Sequence, residues 1–274
     1  MIFQTKNITE QKKKNSMYTL PNGLKINHLN QGETEFTYNE IFVDKIYLKN
    51  GIQVDNTSTV LDIGANIGLF SLFLKQKYPD CKIFSFEPSP ELFDILKLNL
   101  SQFKDVKIFD YGLSSEEKIG KFTYYPNYSI MSSFFPDEIE DVKQLHAGIT
   151  NQIKKHNPNY NKKMIDMLVS KKLSQKKELQ CRLTTISVII KQHNIEKIDL
   201  VKIDAEKAEF EILHGIEKND WLKIKQIVME VHGTDKIKNN IKKKLEDMGF
   251  DVLFEQENAE SNLSNLFAIK KKNR

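Results

Sequence analysis

The sequence predicts an α/β fold: a doubly wound, mostly parallel sheet of about seven strands that finishes in an antiparallel strand pair. Three observations predict it. Short apolar runs alternate with helical periodicities from residue 59 onward. The stretch TVLDIGANIGLF (59–70) passes from a buried strand into a helix, with Gly64 and Gly68 at the join. The last two apolar runs, DVLFEQ (251–256) and LSNLFAIKK (263–271), follow one another with no helix between them.

Each element has its own reason. TVLDIG (59–64) is a continuous apolar run, as a strand buried on both faces should be, and LFSLFLKQKY (69–78) has helical spacing. KIFSFEP (82–88) is a second strand. In PELFDILKLNL (90–100), Leu92, Ile95, Leu96 and either Leu98 or Asn99 share a helix face, with Ser89 as N-cap and Pro90 as first helical residue. VKIFDYGL (106–113) reads as a third strand and KFTYY (121–125) as a short extra one. Residues 136–180 are rich in Lys and Asn, with helical pieces at 137–155 and 161–172. They hold too few large apolar residues for a core of their own, so 126–180 is expected to be a helical lid inserted over the sheet edge. Alternation then resumes with a helix over 184–195, a fourth strand IDLVKID (198–204), a helix over 208–216 and a fifth strand KQIVMEVHG (225–233). A helix over 235–248 stops at Gly249, a suitable C-cap. Upstream, PNG (21–23) is a turn, and EFTYNEIFVDKIYL (35–48) reads as a helix or cap beside the carboxyl end of the sheet. The expected division is a capping segment, 1–58, and a main domain, 59–274.

Composition narrows the function. A chain of 274 residues is long enough for one large α/β core. A net charge of +4 from 41 basic and 37 acidic residues is too balanced to argue for nucleic acid. The lysine runs at 12–14, 171–172, 176–177 and 270–272 read as solvated faces and ends. Cys81 and Cys181 form no close pair or Cys/His cluster, so neither a disulfide framework nor a metal knuckle is signalled. Residues 1–15 lack the apolar core of a leader, and no apolar run approaches the ~20 residues of a membrane span. The expected location is the cytoplasm.

In an open parallel sheet, ligands bind outside the carboxyl ends of the strands, where the strand order switches. Gly64 and Gly68 let a backbone approach a ligand, and Asp62 and Asn66 add an acid and an amide. Glu87 ends the second strand, where two carboxylate oxygens match the two hydroxyls of a ribose. Two cofactors compete for such a site. The usual NAD fingerprint places glycine where Asn66 stands. S-adenosylmethionine has no phosphate, and its zwitterionic amino acid part suits the loop D-I-G-A-N-I-G better.

The blocks VLDIGANIGLFSLF, FSFEPSPELFDILKLNL, DLVKIDAEKAEFEILHGI and IVMEVH together resemble the FkbM family of S-adenosylmethionine-dependent methyltransferases. EFTYNEIF is similar to the segment that precedes that domain. The resemblance spans about residues 20–270 in scattered blocks, and the combination is more specific than any block alone. It implies a Rossmann-like class I methyltransferase that methylates a hydroxyl oxygen. Carried over residue by residue, it implies that Asp62, Gly64, Asn66 and Gly68 form the cofactor loop and that Glu87 binds the ribose. Ser89 then lines the same pocket, and Asp110, Tyr111 and Gly112 lie where adenine usually sits, although Tyr111 suits the core equally well. Many members have Glu-Gly after the fourth-strand acid. This chain has Glu206-Lys207, resembling the variant in members that decorate polyketides and nonribosomal peptides.

Catalysis is left to the remaining strand ends: Asp204 and Glu206 after the fourth strand, Glu230 and His232 in the fifth. An alcohol is a poor nucleophile, so a base helps, and Asp204 or His232 suits that role. Glu206 either positions substrate or caps the next helix, and Glu230 is a catalytic or a buried structural acid. A divalent ion on these four ranks below metal-free base catalysis, and no metal ligands are assigned. Phe36, Tyr38, Phe42 and Tyr47 could close over the cofactor, although Phe42 and Tyr47 suit core packing better. Glu35 and Glu40 could face the site. Tyr124, Tyr125, Ser132 and Ser133 stand at the entrance to the lid. The expected substrate is a hydroxyl on a small molecule, a glycan or a polyketide or peptide natural product, free or carrier-bound. The alternatives are an NAD-dependent oxidoreductase and a non-catalytic nucleotide-binding protein. A mere binding module has no need of the acids and histidine at 204–232.

Overall fold

The computed structural model describes residues 16–156, 161–256 and 263–271. The stretch read for a leader, 1–15, lies outside them, as do the lysine run at 12–14 and Lys272.

The described chain opens with a hairpin, β1 (Ser16–Thr19) and β2 (Lys25–His28), turned at Pro21–Gly23. Helix α1 (Gln31–Tyr38) follows, its first turn capped by the Asn30 side chain, which accepts from the Glu33 amide. A single π-helical turn (Asn39–Val43) and a 3₁₀ turn (Ile46–Leu48) carry the chain across the top of the sheet.

The main alternation is β3 (Thr59–Ile63), α2 (Leu69–Lys77), β4 (Lys82–Phe86), α3 (Pro90–Leu100) and β5 (Val106–Phe109). A short β6 (Gly112–Leu113) and β7 (Lys118–Tyr124) lead to two helices, α4 (Glu138–His156) and α5 (Lys162–Leu173). The chain returns through β8 (Lys177–Thr184), α6 (Ile186–Gln192), β9 (Leu200–Ile203), α7 (Glu209–His214), β10 (Gln226–His232) and α8 (Asp235–Asp247). It ends in β11 (Phe250–Gln256) and β12 (Leu263–Lys270). The seven-stranded sheet has the order β11-β12-β10-β9-β3-β4-β5. β12 is antiparallel to both of its neighbours and the other pairings are parallel. The winding reverses between β3 and β9, which opens a crevice at their carboxyl ends.

Strand periodicity sorts the core into two layers. Val60, Leu200 and Val228 face α2, α3 and the N-terminal segment, whereas Leu61, Ile63, Val201, Ile203 and Met229 face α6, α7 and α8. Helix α3 buries Leu92, Ile95 and Leu96, each at most 2% exposed, and of the two candidates for the next face position it buries Asn99 and exposes Leu98.

Two expectations are corrected. The run 106–113 is not one strand: β5 ends at Phe109, and Gly112–Leu113 pairs in a separate three-stranded sheet of order β6-β8-β7. Residues 177–180 begin strand β8, antiparallel to β7, so the insertion is what lies between these two strands. Its helices carry a small cluster of their own, with Leu145, Ile149, Ile165 and Val169 packed on Tyr125 and Met131.

Candidate active site at the strand switch point

The crevice between β3 and β9 widens into a cavity of about 1200 Å³. Single-ligand pockets run to roughly 300–1,000 Å³, so there is room for two ligands side by side. Its walls come from the Gly64 loop, the ends of β4, β9 and β10, the π-helical turn and the insertion.

Gly64, Asn66 and Glu87 line the cavity; Asp62, Gly68 and Ser89 do not. The two glycines are required for packing. A Cβ at Gly64 (φ +73°) would stand 1.8 Å from the Asp204 carbonyl oxygen, so this residue lets the loop lie directly on the exit of β9. A Cβ at Gly68 (φ +91°) would strike Leu96 and Leu100 of α3. Asn66, also left-handed at φ +51°, donates its backbone N–H to Glu87 Oε2 at 2.9 Å, and its side-chain oxygen accepts from the Ile67 amide at 2.8 Å. Ser89 is fully buried, and its amide donates to Glu87 Oε1 at 2.9 Å. Its place is behind Glu87, holding it. Burial pushes the Glu87 carboxyl up to about 7, against these two amide bonds.

Of the three residues named beyond the third strand, Gly112 alone lines the cavity, beside Leu113. Asp110 is exposed and outside it. Tyr111 is buried among Phe86 and Phe109, with the Arg182 guanidinium 4.0 Å over its ring. The break after β5 rotates these side chains away from the crevice.

Lys202, in β9, is a site residue that the sequence reading passed over. It is 2% exposed, and its ammonium lies 3.2 Å from Asp62 and 3.4 Å from Asp204. It also donates to the Gly64 carbonyl at 2.9 Å. Burial alone would lower its pKa, but Asp62 and Asp204 hold it above the usual lysine range. Asp62, fully buried, also accepts from the Ser71 hydroxyl of α2 at 2.7 Å. Asp62 therefore anchors the loop from beneath and lies outside the cavity wall.

Tyr47 was expected in the core. Its ring does pack edge-on against Phe70, at 5.3 Å between centroids, but its hydroxyl reaches the cavity. It donates to Asp204 Oδ2 at 2.9 Å and stands 3.2 Å from Glu230 Oε1. Burial, then Asp204 and Glu40, push the Glu230 carboxyl well above the carboxylate range. One hydroxyl thus bridges the two carboxyl groups, as donor to either.

The fourth-strand exit and β10 meet in a second cluster. His232 lies between two carboxylates, Nδ1 to Glu209 Oε1 at 2.9 Å and Nε2 to Glu206 Oε2 at 3.2 Å. Burial alone would lower the imidazole, but Glu206 and Glu209 raise it to about 10. Of the two bases expected, Asp204 or His232, the imidazole is the one that its flanking carboxylates favour in the protonated form. Burial pushes Glu206 up to about 7, with Asp204 and Glu209 adding to the rise. Glu206 is therefore poised to exchange a proton near neutrality.

From the upstream segment Phe36 and Glu40 line the cavity, whereas Tyr38 stacks on Phe42 and Glu35 turns away to accept from Tyr18 at 2.6 Å. At the insertion's entrance Ser132 and Ser133 line the cavity, and Tyr124 and Tyr125 are buried beside it. Among the described residues, no three His, Cys, Asp or Glu side chains are gathered to hold a metal.

The donor set decides between the two cofactors considered. Each Glu87 oxygen spends one lone pair on a loop amide and keeps another for a vicinal diol. Seven acidic side chains line the cavity against Lys143 and His232, and Glu40, Asp44, Glu140 and Asp204 are among them. Such a wall repels a pyrophosphate and suits a sulfonium and an ammonium. The residues present fit S-adenosylmethionine.

Several known proteins are similar to this chain. A family model described as the methyltransferase FkbM domain matches residues 62–252. The chain is 34% identical over 240 residues to 31-O-demethyl-FK506 methyltransferase FkbM of Streptomyces tacrolimicus, covering 87% of this chain and 90% of that one. It is 37% identical over 216 residues to the AMB antimetabolite synthetase AmbE of Pseudomonas aeruginosa, covering 78% of this chain and 10% of that one. Among solved structures, a methyltransferase FkbM from Methylobacillus flagellatus aligns with a TM-score of 0.48 at 11% identity, covering 80% of this chain and 45% of that one.

Proposed function

The chain belongs to the methyltransferase FkbM family, and from that premise we propose that it moves a methyl group from S-adenosylmethionine to a hydroxyl oxygen. The observation that carries this reading is the shared cavity, which exposes Glu87 and Glu206 to one space with room for cofactor and acceptor together. The acceptor is a hydroxyl of a natural product. The Streptomyces relative's name puts its methyl on an oxygen of FK506, and the second match lies within an antimetabolite synthetase.

When bound, S-adenosylmethionine supplies an electrophilic methyl on a sulfonium. The chain does the rest. Glu87 accepts from the ribose diol while its other lone pairs stay on the Asn66 and Ser89 amides. Lys202 fixes the Gly64 carbonyl and Asp204 from below, which sets the loop against the strand exits. Tyr47, Asp204 and Glu230 orient the acceptor hydroxyl, and orientation supplies much of the rate. Glu206 takes the hydroxyl proton as the oxygen attacks. His232, held by Glu209, keeps the Glu206 carboxylate aligned and offsets its charge before the transfer. Insertion residues 128–134 and 140–148 contribute to the cavity wall and shield it from water.

The test is a panel of hydroxylated macrolactones, glycosides and carrier-tethered hydroxyacyl chains, incubated with methyl-labelled S-adenosylmethionine. The expected product carries the label on an ether oxygen, and Glu206→Gln loses turnover while keeping cofactor affinity. Label on nitrogen or carbon, or full turnover by Glu206→Gln, overturns the reading.

A further inference from the structure

The turn after β9 has an unexpected backbone. Glu206 (φ +30°) and Lys207 (φ +69°) are both left-handed, and neither is glycine. Such strain persists only where surrounding contacts over-determine it. Three contacts do so here. The Lys207 amide donates to Glu209 Oε1 at 3.0 Å. The Ser133 hydroxyl donates to the Glu206 carbonyl at 2.5 Å. The Lys207 ammonium pairs with Asp141, in the first turn of α4.

Two of these three ties, Ser133 and Asp141, belong to the insertion. Asp141 is 2% exposed, and its second carboxylate oxygen has no hydrogen-bond partner. The ammonium is therefore what compensates that buried charge. Glu209 Oε1, which holds the Lys207 amide, is also the atom that receives His232 Nδ1. A continuous path runs from α4 through Asp141, Lys207, Glu209 and His232 to Glu206. A glycine would adopt this backbone without strain. It would have no side chain to reach Asp141.

We infer that Lys207 is a latch: its pair with Asp141 holds helix α4 against the cavity and fixes the turn that presents Glu206, so that a closed lid and an aligned carboxylate are one state. Lys207 and Asp141 are positioning residues for the acceptor. The kinetic half of this inference rests on the proposed role of Glu206; the structural half does not.

The test compares Lys207→Gly, Lys207→Arg and Asp141→Asn in the full chain. Hydrogen exchange of α4 peptides is read beside calorimetric S-adenosylmethionine binding and acceptor kinetics. In Lys207→Gly the α4 amides should exchange at least ~10-fold faster, because Asp141 loses its compensating ammonium even though the turn is relieved of strain. Acceptor kcat/KM should drop about 10–100-fold with cofactor Kd within about 2-fold of wild type. Lys207→Arg should keep α4 protected, and Lys207→Gly with Asp141→Asn should be no worse than either alone. Unchanged α4 exchange in Lys207→Gly overturns the latch. Faster exchange with unaltered kcat/KM overturns its link to Glu206. Full turnover by Glu206→Gln would instead sink the base assignment and leave the exchange result standing.

Discussion

Replacing Lys202 by methionine should destabilise this chain far more than an ordinary lysine substitution. The side chain is 3% exposed and Asp62, 3.2 Å away, is fully buried. Methionine fills the stem's volume but leaves Asp62 charged and without a countercharge. Breaking one half of a buried pair costs about 3–5 kcal/mol. At ~2–4 °C per kcal/mol for chains of about this size, the melting temperature should fall by about 6–20 °C. The assay is thermal unfolding by circular dichroism at pH 7. Adding Asp62→Asn to Lys202→Met should recover part of the loss, because the orphaned charge is then gone. A drop below about 2 °C, or strictly additive losses in the double variant, would show that Lys202 does not hold the loop as described.

Other outcomes follow from the same geometry. Gly64→Ala forces a Cβ onto the Asp204 carbonyl and should cost ~2–5 kcal/mol in denaturant titration, abolishing cofactor binding in what folds. Tyr47→Phe keeps the packing on Phe70 and removes the bridge between Asp204 and Glu230, so kcat should fall about 10-fold with melting temperature nearly unchanged. The pH–rate profile should rise through about 7 as Glu206 ionises and fall towards about 10 as His232 loses its proton. The stability linkage of His232 has a definite sign. Its folded value near 10 lies above the ordinary 6.5, so its contribution is complete below 6.5 and is lost as pH rises to 10. His232→Gln should flatten that alkaline fall in melting temperature.

Much of this fold was legible because its signals are local. TVLDI and KQIVMEVH are apolar runs that only a doubly covered strand explains, and the Leu92–Ile95–Leu96 face fixes α3. Strand β8 was missed although Leu179, Cys181 and Leu183 alternate with Gln180 and Arg182; the lysines just before it, at 171–172 and 176–177, masked that period. Within the site, Glu87 was found by its place at a strand end. Asp110 and Tyr111 were misplaced because nothing in VKIFDYGL announces that the strand stops at Phe109. Lys202 was overlooked for a different reason. A lysine in LVKID reads as an outward polar residue, and only tertiary packing shows it buried between Asp62 and Asp204. The signal was present: no outward face is expected of a central strand in a sheet covered by helices on both sides. The raised pKa of His232 depends on Glu209, a residue of the α7 first turn that no strand-end rule would select.

The most direct measurement is calorimetric titration of the purified chain with S-adenosylmethionine and with NAD, for wild type and Glu87→Ala. The geometry predicts binding of S-adenosylmethionine and none of NAD. Glu87→Ala should lose ~100-fold or more in affinity, as expected when two hydrogen bonds to one charged group are removed. A preference for NAD, or S-adenosylmethionine affinity untouched by Glu87→Ala, would contradict the assignment of this cavity.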